Sequence, residues 1–268
     1  MSQTWLDAPE RDDFLRRTAS LVATTSFTTS AHRVRSLEVR RAERTGAPRV
    51  EGTPALESFL LRTGTDGLVV LRGDQIVLNW YAPGMTARSP HLLMSLSKAL
   101  AGVLAGALVE AGDLTTTDHA VRLVPELTGS AYAEATIQDL LDMTVSVEFG
   151  MDFDQPEAEV LTLDRVAGWR AARPQDPPTI RSFLATIKPG TVRAPTFQYC
   201  SATTDVLAWV LERAAGRSYV ELACGLWRTF GPEDDAAFTV DADGVPYASA
   251  GLCATTADIA RFGRSVLD

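Results

Sequence analysis

Lysine is nearly absent from this sequence. Of the 25 basic residues in the 268-residue chain, only Lys98 and Lys188 are lysines, and all the others are arginines. A nucleotide composition that favours arginine and alanine codons explains the avoidance, but it does not explain which lysines are kept. Lys98 lies in an apolar segment and is therefore the first residue that we consider for a function.

The sequence also has little that would mark secretion or membrane insertion. Its three cysteines form no C-x-x-C pair and have no metal-ligand spacing, which is typical of a protein in a reducing compartment. The first seven residues do not begin the basic and then apolar pattern of a signal peptide. No uninterrupted apolar stretch reaches the roughly 20 residues that cross a bilayer. We therefore expect a cytoplasmic protein without membrane association.

Positive charge is too scarce for a nucleic-acid surface. The formal net charge is −9, whereas phosphate backbones are bound through clustered basic side chains. The sequence shows no glycine-rich phosphate loop after a strand and no metal-site spacing, so we expect no cofactor and no metal. Its hydrophobic content of 46% is that of an ordinary globular chain.

Histidine is rare as well, and the three histidines have no partner pattern. A hydrolase of the Ser-His-Asp type often carries its nucleophile in a Gly-x-Ser-x-Gly turn, and this sequence has none. His91 lies four residues before Ser95, and we interpret it as a structural loop residue. These absences argue against a histidine-based hydrolase.

The patterning divides the chain at about residue 50. Residues 1–50 are polar and arginine-rich without a clear period, which predicts an arm, and residues 51–268 form the main domain. Alternating apolar residues predict strands at 67–72 and 75–81, joined by a Gly73-Asp74 turn. Helices are predicted at 136–143, 178–187, 203–215 and 255–267, with Thr203 or Thr204 capping the third. The proline-rich segment 144–177 is predicted to be a long irregular loop that lines a binding surface.

The segment 94–110 carries the first chemical signal, a Ser-x-x-Lys motif. It is apolar on nearly every face, which predicts a buried helix, and lysine is rarely buried without a function. Ser95 and Lys98 are three residues apart, so they share a helix face and can reach hydrogen-bond distance. An amine beside a serine hydroxyl is an activated nucleophile. We therefore predict Ser95 as nucleophile and Lys98 as its base; the competing interpretation is a capping serine with an exposed lysine.

Tyr199 is the second candidate residue. It lies in the sequence Phe-Gln-Tyr-Cys-Ser, residues 197–201, just before a predicted helix, where its phenol could relay a proton to a leaving group. Taken alone, this tyrosine is better explained as a packing residue at the edge of the core.

Together these motifs resemble a known family. Met-Ser-Leu-Ser-Lys at 94–98, Phe-Gln-Tyr-Cys-Ser at 197–201 and the segment 250–263 are similar to class C β-lactamase-type serine hydrolases, the penicillin-recognising fold. The nearest branch is that of 6-aminohexanoate-dimer hydrolases and carboxylesterases. The resemblance implies an α+β, β-lactamase/transpeptidase-like fold, in which an antiparallel sheet is flanked by helices beside a helical subdomain.

The resemblance also implies roles for individual residues. Ser95 would be acylated, Lys98 would be the general base and Tyr199 the proton relay. Asp164 and Trp169 stand where relatives contact substrate, although a solvated carboxylate and a core-edge indole explain them equally well. Phe153 stands where relatives have a tyrosine that hydrogen-bonds the amide, which favours esters here. The expected partner is a small ester or amide, and a homodimer is left open.

The same resemblance raises a question about the C-terminus. Family members continue with further strands and a third motif of the Lys-Thr-Gly or His-x-Gly type, neither of which this chain shows before Asp268. We therefore expect a C-terminally incomplete domain. Two alternatives to a small-substrate hydrolase remain: a catalytically inactive or fragmentary binding protein, and a β-lactamase or D,D-peptidase.

Overall fold

A computed structural model describes residues 10–28, 34–39, 56–192 and 195–267, which fall into two compact units. The first unit contains the described residues up to Phe27, together with Leu92–Leu226 and Ala237–Cys253. The second contains the described residues of Thr28–His91, Trp227–Ala236 and Ala254–Asp268. The helices of the described residues are α1 Glu10–Leu21, α2 Leu56–Arg62, α3 Ser97–Ala111, α4 Ala120–Leu123, α5 Ile137–Asp142, α6 Glu159–Val166, α7 Ile180–Leu184, α8 Ser201–Ala215, α9 Tyr219–Thr229 and α10 Thr256–Val266. The strands are β1 Thr24–Phe27, β2 Glu38–Val39, β3 Gly67–Arg72, β4 Gln75–Tyr81, β5 Pro90–Leu92, β6 Ala236–Thr239 and β7 Leu252–Thr255.

Helix α3 belongs to the first unit and confirms the helix predicted at 94–110, although it begins at Ser97 after a 3-10 turn at Met94–Leu96. Leu100, Leu104 and Leu108 recur every four residues and are buried, so one stripe of α3 lies in the core, where it contacts α8. Gly112 ends the helix in the left-handed conformation at φ 82°, which glycine adopts without steric cost. The segment Met94–Ala111 has the length and composition of a membrane span, as the core helix of a soluble protein also can, and 33% of it is buried. The prediction of a buried helix therefore holds for one face only, because Ala99, Gly106 and Ala107 are exposed.

Helix α8 begins earlier than predicted. Cys200 is its N-cap residue, and Thr203 and Thr204 are buried inside the helix. The prediction that one of these threonines caps the helix is therefore wrong. Thr203 is within hydrogen-bond distance of the Tyr132 hydroxyl (3.3 Å), a tertiary partner that the sequence pattern does not reveal. Gly216 ends the helix in the left-handed conformation, at φ 63°.

The segment 144–177 is not an irregular loop throughout. Residues Glu159–Val166 form α6, whose apolar positions are buried, so the loop prediction is wrong there. The prolines on both sides of this helix favoured the prediction of a loop, although the segment between them has helical periodicity. The predicted helices at 136–143 and 178–187 are present as α5 and the shorter α7, and each begins with a capping box, at Thr136 and at Thr179.

A four-stranded sheet has the strand order β1-β6-β7-β5. Strands β6 and β7 pair antiparallel with Phe238 opposite Leu252, and all four residues of each strand are buried. Such short strands, buried on both faces, have no alternation to detect, which is why they were missed. Strand β1 and helix α1 give regular structure to part of the predicted arm. The predicted boundary at residue 50 lies outside the described residues.

The second unit contains the predicted hairpin. Strands β3 and β4 pair antiparallel, and Gly73 in their turn has φ 60°, as a two-residue hairpin loop requires. Strand β2 adds to β4 in parallel, so the three-stranded sheet has the order β2-β4-β3. Helix α10 packs on β3, and a Cβ on Gly67 would lie 2.5 Å from the Thr256 hydroxyl. This close approach requires glycine at the start of β3.

Candidate active site

Ser95 lies in a single 3-10 turn, Met94–Leu96, immediately before α3. Met94 has φ 48°, a left-handed conformation that costs a non-glycine residue about 1–2 kcal/mol. The Ser97 hydroxyl donates to the Met94 carbonyl at 2.7 Å and accepts from the Leu252 amide at 3.1 Å. The Leu93 amide donates to the Leu252 carbonyl at 2.8 Å. The turn that presents Ser95 is thus fastened to β7 on both sides.

Lys98 lies in the first turn of α3 and its amine has three neighbours. Nζ is 3.2 Å from Ser95 Oγ, 3.3 Å from Ser201 Oγ and 2.8 Å from the Ser249 carbonyl oxygen. The predicted Ser95–Lys98 pair is therefore brought together at hydrogen-bond distance, as three-residue spacing on one helix face allows. The other two partners come from the start of α8 and from the segment before β7.

Tyr199 joins the same cluster from the extended segment before α8. Its hydroxyl donates to Ser95 Oγ at 2.7 Å, and Lys98 Nζ lies 5.2 Å from the centre of its ring. The side chains of Ser95 and Tyr199 are both exposed. A substrate carbonyl can therefore approach the serine oxygen that these groups share.

Gln198 holds Tyr199 in place. Its backbone amide donates to the Met143 carbonyl at 2.8 Å. Its side-chain amide donates to the Val147 carbonyl at 2.8 Å and accepts from the Val147 amide at 3.2 Å. Three hydrogen bonds therefore fix the backbone one residue before the tyrosine. Gln198 was quoted in the sequence motif, but nothing in its type or spacing assigned it this role.

Sequence reasoning also missed Ser201 and Ser249. Ser201 is two residues after Tyr199, a proximity that could have drawn attention to it. Ser249 had no signal, because it contributes a backbone carbonyl and lies 151 residues after Lys98. Backbone groups are not encoded by residue type, so only the folded chain reveals this contact.

Asp164 and Trp169 lie in the interior of the first unit, and their contact with a substrate stays a prediction. Both are buried, with 2% and 0% of their surface exposed. Asp164 accepts from Arg170 Nε at 3.0 Å and from the Tyr247 hydroxyl at 3.3 Å. The Trp169 indole donates to Thr239 Oγ1 at 3.1 Å. Asp164 in α6 and Trp169 just after this helix thus take part in hydrogen bonds inside the first unit.

Burial dominates the electrostatics of Asp164. It raises the pKa of this carboxyl to about 6, although the hydrogen bond and charge of Arg170 act in the opposite direction. Burial also raises the pKa of Tyr247. The pair is thus a hydrogen-bonded interior contact.

Phe153 lies in a turn before α6 and is partly buried. It carries no hydroxyl, so it can offer a substrate only apolar contact, and its role stays a prediction. Among the residues that the structure describes, no group of three or more His, Cys, Asp or Glu side chains could hold a metal ion.

Comparison with known proteins identifies the family. The sequence model of the beta-lactamase family matches residues 60–268, which is most of the chain. The chain belongs to the beta-lactamase family. It is 43% identical over 216 residues to the 6-aminohexanoate-dimer hydrolase of Paenarthrobacter ureafaciens. That match covers 80% of this chain and 55% of the relative, so the chain spans about half the length of this beta-lactamase family member.

Solved structures confirm the predicted fold class. A Bacillus anthracis protein, provisionally described as a 6-aminohexanoate-dimer hydrolase, matches with a TM-score of 0.88 and 26% identity, over 98% of this chain and 70% of its own. A class C beta-lactamase mutant matches with a TM-score of 0.55 and 18% identity, over 77% of this chain and 61% of its own. The second likeness concerns the fold alone. The chain therefore has the β-lactamase/transpeptidase-like α+β fold that the motifs predicted.

Proposed function

We propose that this protein is a serine hydrolase that cleaves small esters or amides through an acyl-enzyme on Ser95. The observation that carries the proposal is the shared serine oxygen: Lys98 Nζ lies 3.2 Å from Ser95 Oγ and the Tyr199 hydroxyl lies 2.7 Å from it. A base and a proton donor that flank one exposed hydroxyl form an activated nucleophile. Membership of the beta-lactamase family supports this assignment.

The surroundings of Lys98 suit the role of base. A neutral amine has two N–H groups and one lone pair. The Ser249 carbonyl can only accept, so it takes one N–H, and the Ser201 hydroxyl can accept the other. The remaining lone pair then faces Ser95 Oγ, where it can accept the hydroxyl proton.

Acylation follows from this arrangement. Ser95 Oγ forms a bond to the substrate carbonyl carbon while its proton passes to Lys98 Nζ, and the carbonyl oxygen becomes an oxyanion. The tetrahedral intermediate collapses as the bond to the leaving group breaks, and the leaving heteroatom takes the proton of the Tyr199 hydroxyl. The proton held by Lys98 restores that phenol. Water then hydrolyses the acyl-enzyme by the same steps in reverse order, with Ser95 as the leaving group.

The choice between esters and amides rests on two observations. A relative of 43% identity is named for the hydrolysis of a 6-aminohexanoate dimer, which supports amide substrates. Phe153, however, cannot donate a hydrogen bond to an amide. We therefore propose that esters are cleaved faster than amides. Cytoplasmic localisation and a homodimer stay predictions.

The test is acylation of Ser95 in the purified protein. We expect a burst of product from a p-nitrophenyl ester and a mass increase of one adduct with a fluorophosphonate probe, both lost in Ser95→Ala. Lys98→Ala should lose acylation, while Lys188→Ala, which changes the one other lysine, should keep it. A burst that survives Ser95→Ala would overturn the proposal. Labelling by a penicillin without ester turnover would favour the β-lactamase or D,D-peptidase alternative.

A further inference from the structure

Asp205 is a buried carboxylate that the proposed chemistry has not used. It lies in α8, four residues after Ser201, and only 4% of its surface is exposed. Its Oδ1 accepts from the Ser249 amide at 2.9 Å and its Oδ2 accepts from the Ser249 hydroxyl at 2.8 Å. Both oxygens therefore bind one residue, which fixes the backbone nitrogen and the side chain of Ser249 together.

Ser249 is the residue whose carbonyl receives the amine of Lys98 at 2.8 Å. The peptide unit that contains this carbonyl is held on its other side, because the Ala250 amide donates to the Tyr247 carbonyl at 3.1 Å. The Ser249 carbonyl thus has little freedom to turn away. Asp205 holds the residue at one end of this segment and the Tyr247 carbonyl holds the other.

Charged and titratable groups of the described residues act on Asp205 from several elements. Lys98 on α3 acts on it as a positive charge in its ammonium form, and the phenols of Tyr132, Tyr219 and Tyr247 also interact with it. Burial raises the pKa of Asp205 to about 7, while the hydrogen bonds from Ser249 and the charge of Lys98 lower it. A carboxylate that accepts two hydrogen bonds from one residue and lies near one cation is arranged to balance that cation.

We infer that Asp205 is a positioning residue that acts through Ser249 to hold the Lys98 amine against Ser95 and to stabilise the ammonium formed when Lys98 takes the Ser95 proton. The second half of this statement rests on the proposed function. A buried carboxylate has the corresponding role in Ser-His-Asp hydrolases, where it orients the base and stabilises its charged form. In this protein the Asp205 carboxylate binds Ser249, and the backbone carbonyl of Ser249 contacts the base, Lys98.

The scarcity of lysine makes the inference directly measurable. In protein labelled with ¹³C-lysine, only Lys98 and Lys188 give signals, so the Cε resonance of Lys98 can be followed across pH. We expect it to show a step near pH 7 as Asp205 gains its charge, and the signal of Lys188, which is exposed, serves as the reference. Asp205→Asn, which is isosteric and uncharged, should remove the step.

Asp241→Asn is the matched control. Asp241 is a buried carboxylate of the same unit that accepts from the amides of Ile180, Asp243 and Val245, and its replacement should leave the Lys98 step in place. Should Asp205→Asn fail to fold, Ser249→Ala tests the same link. This change deletes a hydrogen bond that lowers the pKa of Asp205, so the step should move to higher pH. A Lys98 profile that is the same in wild type, Asp205→Asn and Ser249→Ala would overturn the inference.

Acylation kinetics separate this inference from the proposed function. Loss of a hydrogen-bonded charge corresponds to a decrease of about 10- to 100-fold, which we expect for fluorophosphonate labelling of Ser95 in Asp205→Asn but not in Asp241→Asn. A wild-type protein that shows the Lys98 step but does not acylate would refute the proposed function and keep the coupling of Asp205 to Lys98. An unchanged labelling rate in folded Asp205→Asn would refute the positioning role while the hydrolase stands.

Discussion

Replacing Ser97 with alanine removes one oxygen that serves two backbone groups. Ser97 is fully buried, and its hydroxyl donates to the Met94 carbonyl at 2.7 Å while it accepts from the Leu252 amide at 3.1 Å. Alanine is compatible with the first position of α3, so the substitution removes only the hydroxyl group. It therefore isolates the connection between the turn that presents Ser95 and strand β7.

The magnitude follows from burial. Leu252 is 2% exposed, so its amide would lose its partner where water cannot readily replace it. A buried donor left unsatisfied costs about 1–3 kcal/mol. Met94 is partly exposed, so its carbonyl can hydrogen-bond water and adds little. We therefore expect Ser97→Ala to lower the free energy of unfolding by about 1–3 kcal/mol.

Urea unfolding followed by circular dichroism measures this difference. Thr128→Ala is the matched control, because the Thr128 hydroxyl also donates to a carbonyl three residues earlier, that of Pro125 at 2.7 Å, but is exposed. Its loss should change the free energy of unfolding by less than about 0.5 kcal/mol. If Ser97→Ala lowers the free energy of unfolding no more than Thr128→Ala does, the Ser97 hydroxyl is not the required partner of the buried Leu252 amide.

Three further expectations concern the backbone and the buried charges. Met94→Gly should change the free energy of unfolding by no more than about 1 kcal/mol, because glycine removes the steric strain at φ 48° but loses more backbone entropy on folding. Met94→Val, which keeps a side chain at this left-handed position, should lower the free energy of unfolding in urea melts. Gly251→Ala should lower the free energy of unfolding by about 1–3 kcal/mol, because the new Cβ would clash with the Thr239 hydroxyl and lie 2.8 Å from the Tyr247 carbonyl oxygen. Gly225→Ala is the control, because Gly225 has open space around it. Equal free energies of unfolding for the two variants would contradict the predicted clash. The pKa of Asp164 is raised to about 6, so its stabilising contribution is complete below about pH 4 and is lost as pH rises through 6. The stability of wild type relative to Asp164→Asn should therefore fall by roughly 3 kcal/mol over that window, and a pH-independent difference would refute the assignment.

Local patterns predicted the elements whose signals are local. The β3–β4 hairpin follows from alternation and the Gly73-Asp74 turn, and the helix after Ser95 follows from its apolar pattern. Helix α6 and strands β6 and β7 were missed, because prolines surround the first and both faces of the others are buried. These three elements form because of the segments that pack against them in space, which a local sequence pattern does not show.

The sequence by itself determined that Ser95 and Lys98 can meet, because a spacing of three residues brings both side chains to the same face of a helix wherever that helix packs. The order of the motifs also determined the family. Only the tertiary structure decided what surrounds the amine of Lys98. The carbonyl of Ser249 reaches this amine from 151 residues further along the chain, and the carboxylate of Asp205 holds Ser249 in place. Contacts between such distant segments depend on how the elements pack, which no local pattern encodes.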